Sequence, residues 1–244
     1  MDGPSSPWCS IIIPTLNEET ALKACLEILM DQVAVGGLEV IIVDGGSQDA
    51  TLAVAAAYGL QPLAGTRGRA QQLNAGAREA KGEFLWLLHA DTIPPINWLQ
   101  QLQIAAANGQ YPACFQLRFD RQDESPWLRL FARASHCSTP AFRFGDQSLF
   151  LTKAQFLQVG GYHEELQLME GHDIVRRLYR RNSHFTVLPV TITTSARRYF
   201  RYGVLYTQAV FVLIYSGFYL GIPQKKLAAF YARAFPKEAK TAGR

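Results

Sequence analysis

Within the first ninety residues a short apolar run gives way three times to a polar turn and then to apolar residues at helical spacing, and a fourth apolar run follows. That alternation leaves few folds open. Residues 10–14 are mostly β-branched, and after them Ala21, Leu22, Cys25, Leu26 and Leu29 recur with helical period. Residues 38–43 are apolar but for Glu39, as in a strand covered on both faces. Gly45 and Gly46 then make a turn, Ser47 or Asp49 stands where a helix cap is expected, and Gly59 marks that helix's end. A third strand at 60–64 leads through a basic loop at 66–69 into a helix ending near Gly82, and 84–88 reads as a fourth strand. Strands alternating with helices predict an α/β, Rossmann-like, mostly parallel sheet with flanking helices and right-handed crossovers. Ligands of such sheets sit beyond the carboxyl ends of the strands. Asp44, directly after the second strand, and Asp91, shortly after the fourth, are therefore expected to face one crevice.

The second half is less regular. Helices are expected around 127–134 and 173–181, with a Gly145-Asp146-Gln147 turn before an apolar strand. A chain of 244 residues, nearly half apolar, is long enough to bury a large core. We expect one domain at 1–196 and a carboxyl-terminal apolar helical extension at 197–244. The net charge of +4 suits an anionic ligand or an anionic membrane surface and does not call for nucleic acid. Cys9, Cys25, Cys114 and Cys137 lie far apart, which indicates neither a zinc site nor a disulfide framework and fits a reducing cytosol. Residues 1–8 lack a basic start followed by an apolar run, so the body of the protein is expected in the cytoplasm.

An isolated Asp before Gly-Gly is ordinarily a cap, so Asp44 alone decides little. Four segments in order say more: SIIIPTLNEE at 10–19, VIIVDGGSQD at 40–49, NAG at 74–76 and WLLHADT at 86–92. Together they resemble the family 2 glycosyltransferases of GT-A fold. The loop RGRAQQLNAG at 67–76 further resembles a branch of that family encoded beside radical enzymes and linked to arsenosugar formation. The resemblance implies that Pro14, Asn17 and Glu18 line a nucleotide pocket, that Asn74 belongs to the donor site, and that the Asp44 carboxylate accepts a hydrogen bond from the base of a UDP-sugar. Arg67 and Arg69, at the mouth of a helix, favour a diphosphate by charge and by dipole; a solvated basic loop is the plainer reading.

Breaking the bond between the anomeric carbon and phosphate builds negative charge on the leaving diphosphate. The resemblance implies that a divalent metal offsets it. The family's Asp-x-Asp reads His89-Ala90-Asp91 here, so Asp91 is the expected metal ligand, for Mn²⁺ or Mg²⁺. His89 either assists at phosphate or is structural. Inversion needs a base on the acceptor hydroxyl. In LMEGHDIVRRL at 168–178 the family's usual base position is Gly171, which leaves Glu170 as first choice and Asp173, otherwise a helix cap, as second. The segments GDQSLFL at 145–151 and VGGY at 159–162 also resemble the family, so Asp146 and Gln147 are candidates to touch sugar hydroxyls; a turn cap is the alternative for Asp146.

Residues 202–224 carry no charge and are flanked by Arg197, Arg198 and Arg201 before and Lys225 and Lys226 after. A helix lying on a membrane, a helix packed on the domain or on a second subunit, and a spanning helix are the three readings. The first places the protein at the inner face of the cell membrane, with a small or lipid-linked acceptor. The rival to an inverting transferase is a sugar-nucleotide-binding partner protein that has lost its base at Gly171.

Overall fold

In the computed structural model, which describes residues 6–33, 37–181 and 184–236, the amino-terminal half follows the βα alternation. Strands β1 (Cys9–Thr15), β2 (Leu38–Asp44), β3 (Leu63–Ala64) and β4 (Phe84–Leu87) are all parallel, with β1 between β2 and β4. Helices α1 (Glu19–Val33), α2 (Thr51–Ala57) and α3 (Arg69–Glu79) make the crossovers. All seven residues of β1 are buried, because helices cover both of its faces. Ile11 and Ile13 pack with Leu22, Cys25 and Leu26 of α1 on one side; Ile12 packs with Ala70, Leu73 and Ala77 of α3 on the other. The third strand is shorter than the apolar run 60–64, since the Leu60 amide turns back to bond the Ala55 carbonyl and completes the end of α2.

The second half adds β5 (Thr92–Ile93), α4 (Trp98–Ala107), β6 (Ala113–Phe119), α5 (Pro126–Ala134), β7 (Leu149–Thr152), α6 (Lys153–Gln158), α7 (Glu170–Arg181) and β8 (Thr186–Thr194). The sheet order is β3-β2-β1-β4-β7-β6-β8-β5. β6 and β8 are parallel, whereas β7 runs antiparallel to β4 and β6, and β5 to β8. This mixed, curled half walls one side of the crevice at the ends of β1, β2 and β4. Helix α7 starts at Glu170, not at 173. Asp173 therefore lies inside the first turn and is not its cap.

Helices α8 (Arg197–Tyr202), α9 (Val204–Tyr219) and α10 (Gln224–Ala234) close the described chain. They pack back on the α/β body: Tyr199 and Phe211 meet Phe119 and Leu128, while Val210 and Ile214 meet Leu168 and Met169. The spanning reading does not stand, because no described helix is long and apolar enough to cross a membrane. α9 ends at Tyr219, and the chain turns through Gly221, at positive φ, and Pro223 into α10.

Candidate active site

The loops after β1 and β2 are laced together. Asn17, in left-handed conformation at φ 56°, accepts from the Gln48 amide at 2.7 Å and donates its own amide to Ser47 Oγ at 2.9 Å. The Glu18 amide donates to Thr51 Oγ1 at 2.9 Å. Asp44, nearly buried, accepts from the amides of Gly46 (2.9 Å) and Ser47 (2.8 Å), from the Ser47 hydroxyl and from Thr15 Oγ1 (3.0 Å). Burial alone would raise its pKa, but the bonds from Ser47, Gly46 and Thr15 outweigh it and hold the carboxyl below the usual range. Asp44 thus holds this turn in shape. Pro14 is buried within β1, under the same loop.

Across the crevice, His89 and Asp91 follow β4. Asp91 is partly exposed, and its carboxylate lies 3.8 Å from Arg197 of α8. The same guanidinium donates to both carboxylate oxygens of Glu18, at 2.9 and 3.3 Å. Arg197, which the sequence suggested only as a flank of the apolar segment, thereby joins the loop after β1 to the Asp91 loop. Its relevance is visible only once α8 folds back over the strand ends. His89, buried, sets Nδ1 3.3 Å from the Asp146 carboxylate. Burial opposes ionisation of Asp146, yet the His89 hydrogen bond and the charges of His89, Arg69 and Arg198 lower its pKa to about 2. Gln147 is buried; its Oε1 accepts from the Phe144 amide at 3.4 Å and its Nε2 has no partner among the described residues.

The third part gathers at the start of α7. Glu170 is 8% exposed and meets Arg69 Nη1 at 3.0 Å. Desolvation at the crevice opposes the Arg69 cation, whose side chain stays half exposed, but the charges of Glu170, Asp146 and Asp91 more than offset that and push its pKa up. Arg67 is exposed in the preceding loop. Asn74 is spent on architecture: it accepts from the Tyr162 amide and donates to the Tyr162 carbonyl and to Glu164, each at 2.9 Å, tying α3 to the loop before α7. Asp173 is buried among Arg177 (2.8 Å), His163 (3.0 Å) and Arg176 (3.2 Å). Gly171 packs so closely that an added Cβ would lie 2.9 Å from the Gly145 nitrogen.

His172 was not singled out by the sequence. Its Nδ1 lies 3.0 Å from the Arg143 carbonyl and its Nε2 2.8 Å from the Tyr219 hydroxyl. A carbonyl only accepts, so Nδ1 carries the proton and Nε2 takes the tyrosine's. Burial pushes the His172 pKa down and keeps the ring neutral. Among the described residues, three non-glycine residues hold positive φ: Asn17, Ser148 and Met169, at the β1 loop, before β7 and before α7. Strain of this kind gathers at sites whose surroundings fix the backbone.

No group of three or more His, Cys, Asp or Glu side chains among the described residues forms a metal cage. A cation carried by a diphosphate needs only one or two protein carboxylates, the phosphates and water supplying the rest. The partly exposed Asp91 fits that role provided Arg197 shares it.

Parallel strands that end on a cleft of carboxylates and arginines, walled by antiparallel strands and the α7 helix, are the GT-A architecture of the glycosyltransferases. The chain belongs to glycosyl transferase family 2, whose model matches residues 10–201. It is similar to the PGL/p-HBAD biosynthesis glycosyltransferase of Mycobacterium tuberculosis, 38% identical over 96 residues, 36% of this chain and 36% of that protein. An uncharacterized glycosyltransferase of Rickettsia prowazekii is 25% identical over 201 residues, 73% of this chain and 60% of its own. The chain thus covers well under two thirds of the length of these curated relatives. Among solved structures, the mannosyltransferase PcManGT of Pyrobaculum calidifontis, in complex with GDP-Man and Mn²⁺, shares the fold at TM-score 0.66 and 18% identity, over 95% of this chain and 71% of that one. S. aureus TarS 1-349 in complex with UDP-GlcNAc does so at 0.60 and 18%, over 77% and 58%.

Proposed function

We propose that this family 2 transferase moves a hexose from a UDP-sugar to a small or lipid-linked acceptor with inversion, Glu170 taking the acceptor proton. The observation that carries the reading is the 3.0 Å pair of Arg69, at the first turn of α3, with the nearly buried Glu170 at the start of α7.

In this reading the loops of Asn17, Glu18 and Asp44 receive the nucleoside, with the shaped turn of Asp44 setting the pocket's edge. The diphosphate lies against Arg67, Arg69 and the amides at the start of α3. Asp91 would hold Mn²⁺ or Mg²⁺ on the diphosphate, where such a cation supplies charge neutralisation for the leaving group. Asp146 and Gln147 face the sugar; the unpartnered Gln147 Nε2 is a donor available to a hydroxyl. Glu170 accepts the proton of the acceptor oxygen as that oxygen attacks the anomeric carbon, and the bond to the diphosphate oxygen breaks with its electron pair leaving on the diphosphate. Asp173, enclosed by three cationic or titratable partners, is a positioning residue that steadies α7. The UDP preference draws support from the UDP-GlcNAc complex of TarS, while the GDP-Man complex of PcManGT keeps guanosine donors in the panel. The loop RGRAQQLNAG supports membership of the branch linked to arsenosugar formation. Residues 1–196 are proposed as the transferase domain and 197–244 as its extension.

The test is a thermal shift against UDP-, GDP- and dTDP-sugars with Mn²⁺, followed by donor turnover. UDP-sugar binding with turnover that Glu170→Gln lowers by about 10²–10⁴-fold at unchanged donor affinity is the expected result. Binding without turnover across many acceptors would instead support the rival, a non-catalytic sugar-nucleotide-binding protein.

A further inference from the structure

Helix α9 has two apolar faces, and only one of them is packed. Thr207, Val210, Ile214 and Gly217 point into the protein. On the other side Leu205, Tyr206, Val212, Leu213, Tyr219 and Leu220 are each about half exposed or more. Those positions fall at i, i+1, i+7, i+8, i+14 and i+15, one continuous stripe on a helical period. A solvent-facing helix surface normally carries charged and polar groups, and this one carries none of the charged kind over its sixteen residues. An apolar stripe of that length marks a docking surface.

The charges around it identify the occupant. Residues 197–236 contain six Lys or Arg and no Asp or Glu. Arg201 lies exposed just before α9, and Lys225 and Lys226 lie exposed just after it. A second copy of this chain, meeting α9 about a two-fold axis, would set the same positive charges against themselves. An anionic lipid surface satisfies both features, acyl chains taking the leucines and valine, headgroups taking the lysines, and tyrosines sitting between. At sixteen residues α9 is about 24 Å long and lies in the interface without crossing it.

We propose that α9 docks by this stripe on an anionic bilayer. The carboxyl end of the helix shows what docking would serve. Tyr219, half exposed at the edge of the stripe, bonds His172 in the first turn of α7, and Gln224 accepts from the Gln167 and Leu168 amides just before Glu170. A docked α9 therefore sets the start of α7 at headgroup depth, where the polar end of a lipid-linked acceptor would lie.

The experiment uses the full chain and sedimentation with vesicles of phosphatidylcholine, alone or with about 30% phosphatidylglycerol, at about 50 and 500 mM NaCl. Expected is partitioning at least tenfold stronger onto the anionic vesicles at low salt and largely lost at high salt. Val212→Glu with Leu213→Glu should lower it at least tenfold, and Lys225→Gln with Lys226→Gln should lower it on anionic vesicles only. Melting temperature and UDP-sugar binding without lipid, measured on each variant, should match the parent. Equal partitioning of parent and Glu variant, or indifference to phosphatidylglycerol, overturns the proposal. So does a dimer in light scattering that the Glu pair dissolves while vesicle binding is absent. Donor binding is read separately, so failure here and failure of the transferase reading are distinct results.

Discussion

Gly171 stands where the family resemblance puts the base, and putting a side chain back there should damage the protein instead of improving it. Its Cβ would lie 2.9 Å from the Gly145 nitrogen and 3.0 Å from the Gly145 Cα, both backbone atoms, against about 3.5–4.0 Å for ordinary carbon contacts. Gly145 cannot retreat freely, because an added Cβ on it would itself lie 2.7 Å from the His89 ring. Overpacking of this kind costs about 1–3 kcal/mol. Replacing a helical glycine by alanine returns up to about 1 kcal/mol, and less in a first turn. Gly171→Ala should therefore lose about 1–2 kcal/mol, a fall of roughly 2–8 °C in melting temperature for a chain of this size. Gly171→Asp should lose more, since it adds a carboxylate between buried Glu170 and Asp173, and its transfer rate should not exceed the parent's. Calorimetry on both variants and donor turnover on the second provide the measurement. A Gly171→Ala protein at least as stable as the parent, or a Gly171→Asp protein that turns over faster, would refute the close-packing account of this position.

Three further outcomes follow from the same packing. Asp173→Asn should cost about 2–3 kcal/mol in urea unfolding, below the roughly 3–5 of a fully buried pair because Arg176 keeps some solvent; an unchanged midpoint would mean the cluster contributes nothing. Tyr219→Phe should cost about 1–3 kcal/mol, because Nε2 of buried His172 loses its donor; a neutral result would show that water replaces the hydroxyl. In acid, Asp44 and Asp146 titrate below an ordinary carboxyl at roughly 3.9, so the stability they confer is present above about pH 4 and is lost as pH falls, through about 2 for Asp146. Asp44→Asn combined with Asp146→Asn should flatten the melting temperature between pH 4 and 2, and an unchanged slope would count against both assignments.

The half of the fold built from local repeats was legible because its signals are local. The run 38–43 and the period of Leu22, Cys25, Leu26 and Leu29 specify strand and helix before any tertiary contact forms. The pairing in the second half was not legible, since β6 and β8 run parallel across some seventy residues and nothing in either segment names its partner. Among site residues, motif order placed Asp44, Asp91 and Glu170, but not what each does. Asn74 sits in the family motif yet spends its amide on Tyr162. Arg197 sits in no quoted motif, and its approach to Glu18 and Asp91 depends on α8 returning over sheet ends more than one hundred residues earlier.

That return has a consequence for binding. Four cleft carboxylates already have a cationic or titratable partner: Glu18 and Asp91 share Arg197, Glu170 has Arg69, and Asp146 has His89. Under the proposed function, a diphosphate entering this cleft would meet Arg69 and Arg197 already paired and would exchange partners with their carboxylates. The exchange lowers the net Coulomb gain and its salt dependence relative to an open basic groove. On the same proposal a divalent cation would be the natural co-ligand, because a diphosphate that drew Arg197 away would leave Asp91 without its counter-charge. Arg197→Gln should then leave Asp91 unpaired in the free protein and raise Mn²⁺ affinity without donor several-fold, read by electron paramagnetic resonance of free Mn²⁺. Donor affinity at saturating Mn²⁺ should fall in the same variant. If Mn²⁺ affinity without donor is the same in Arg197→Gln and the parent, Arg197 is not the resident counter-charge of Asp91, and the exchange of partners is wrong.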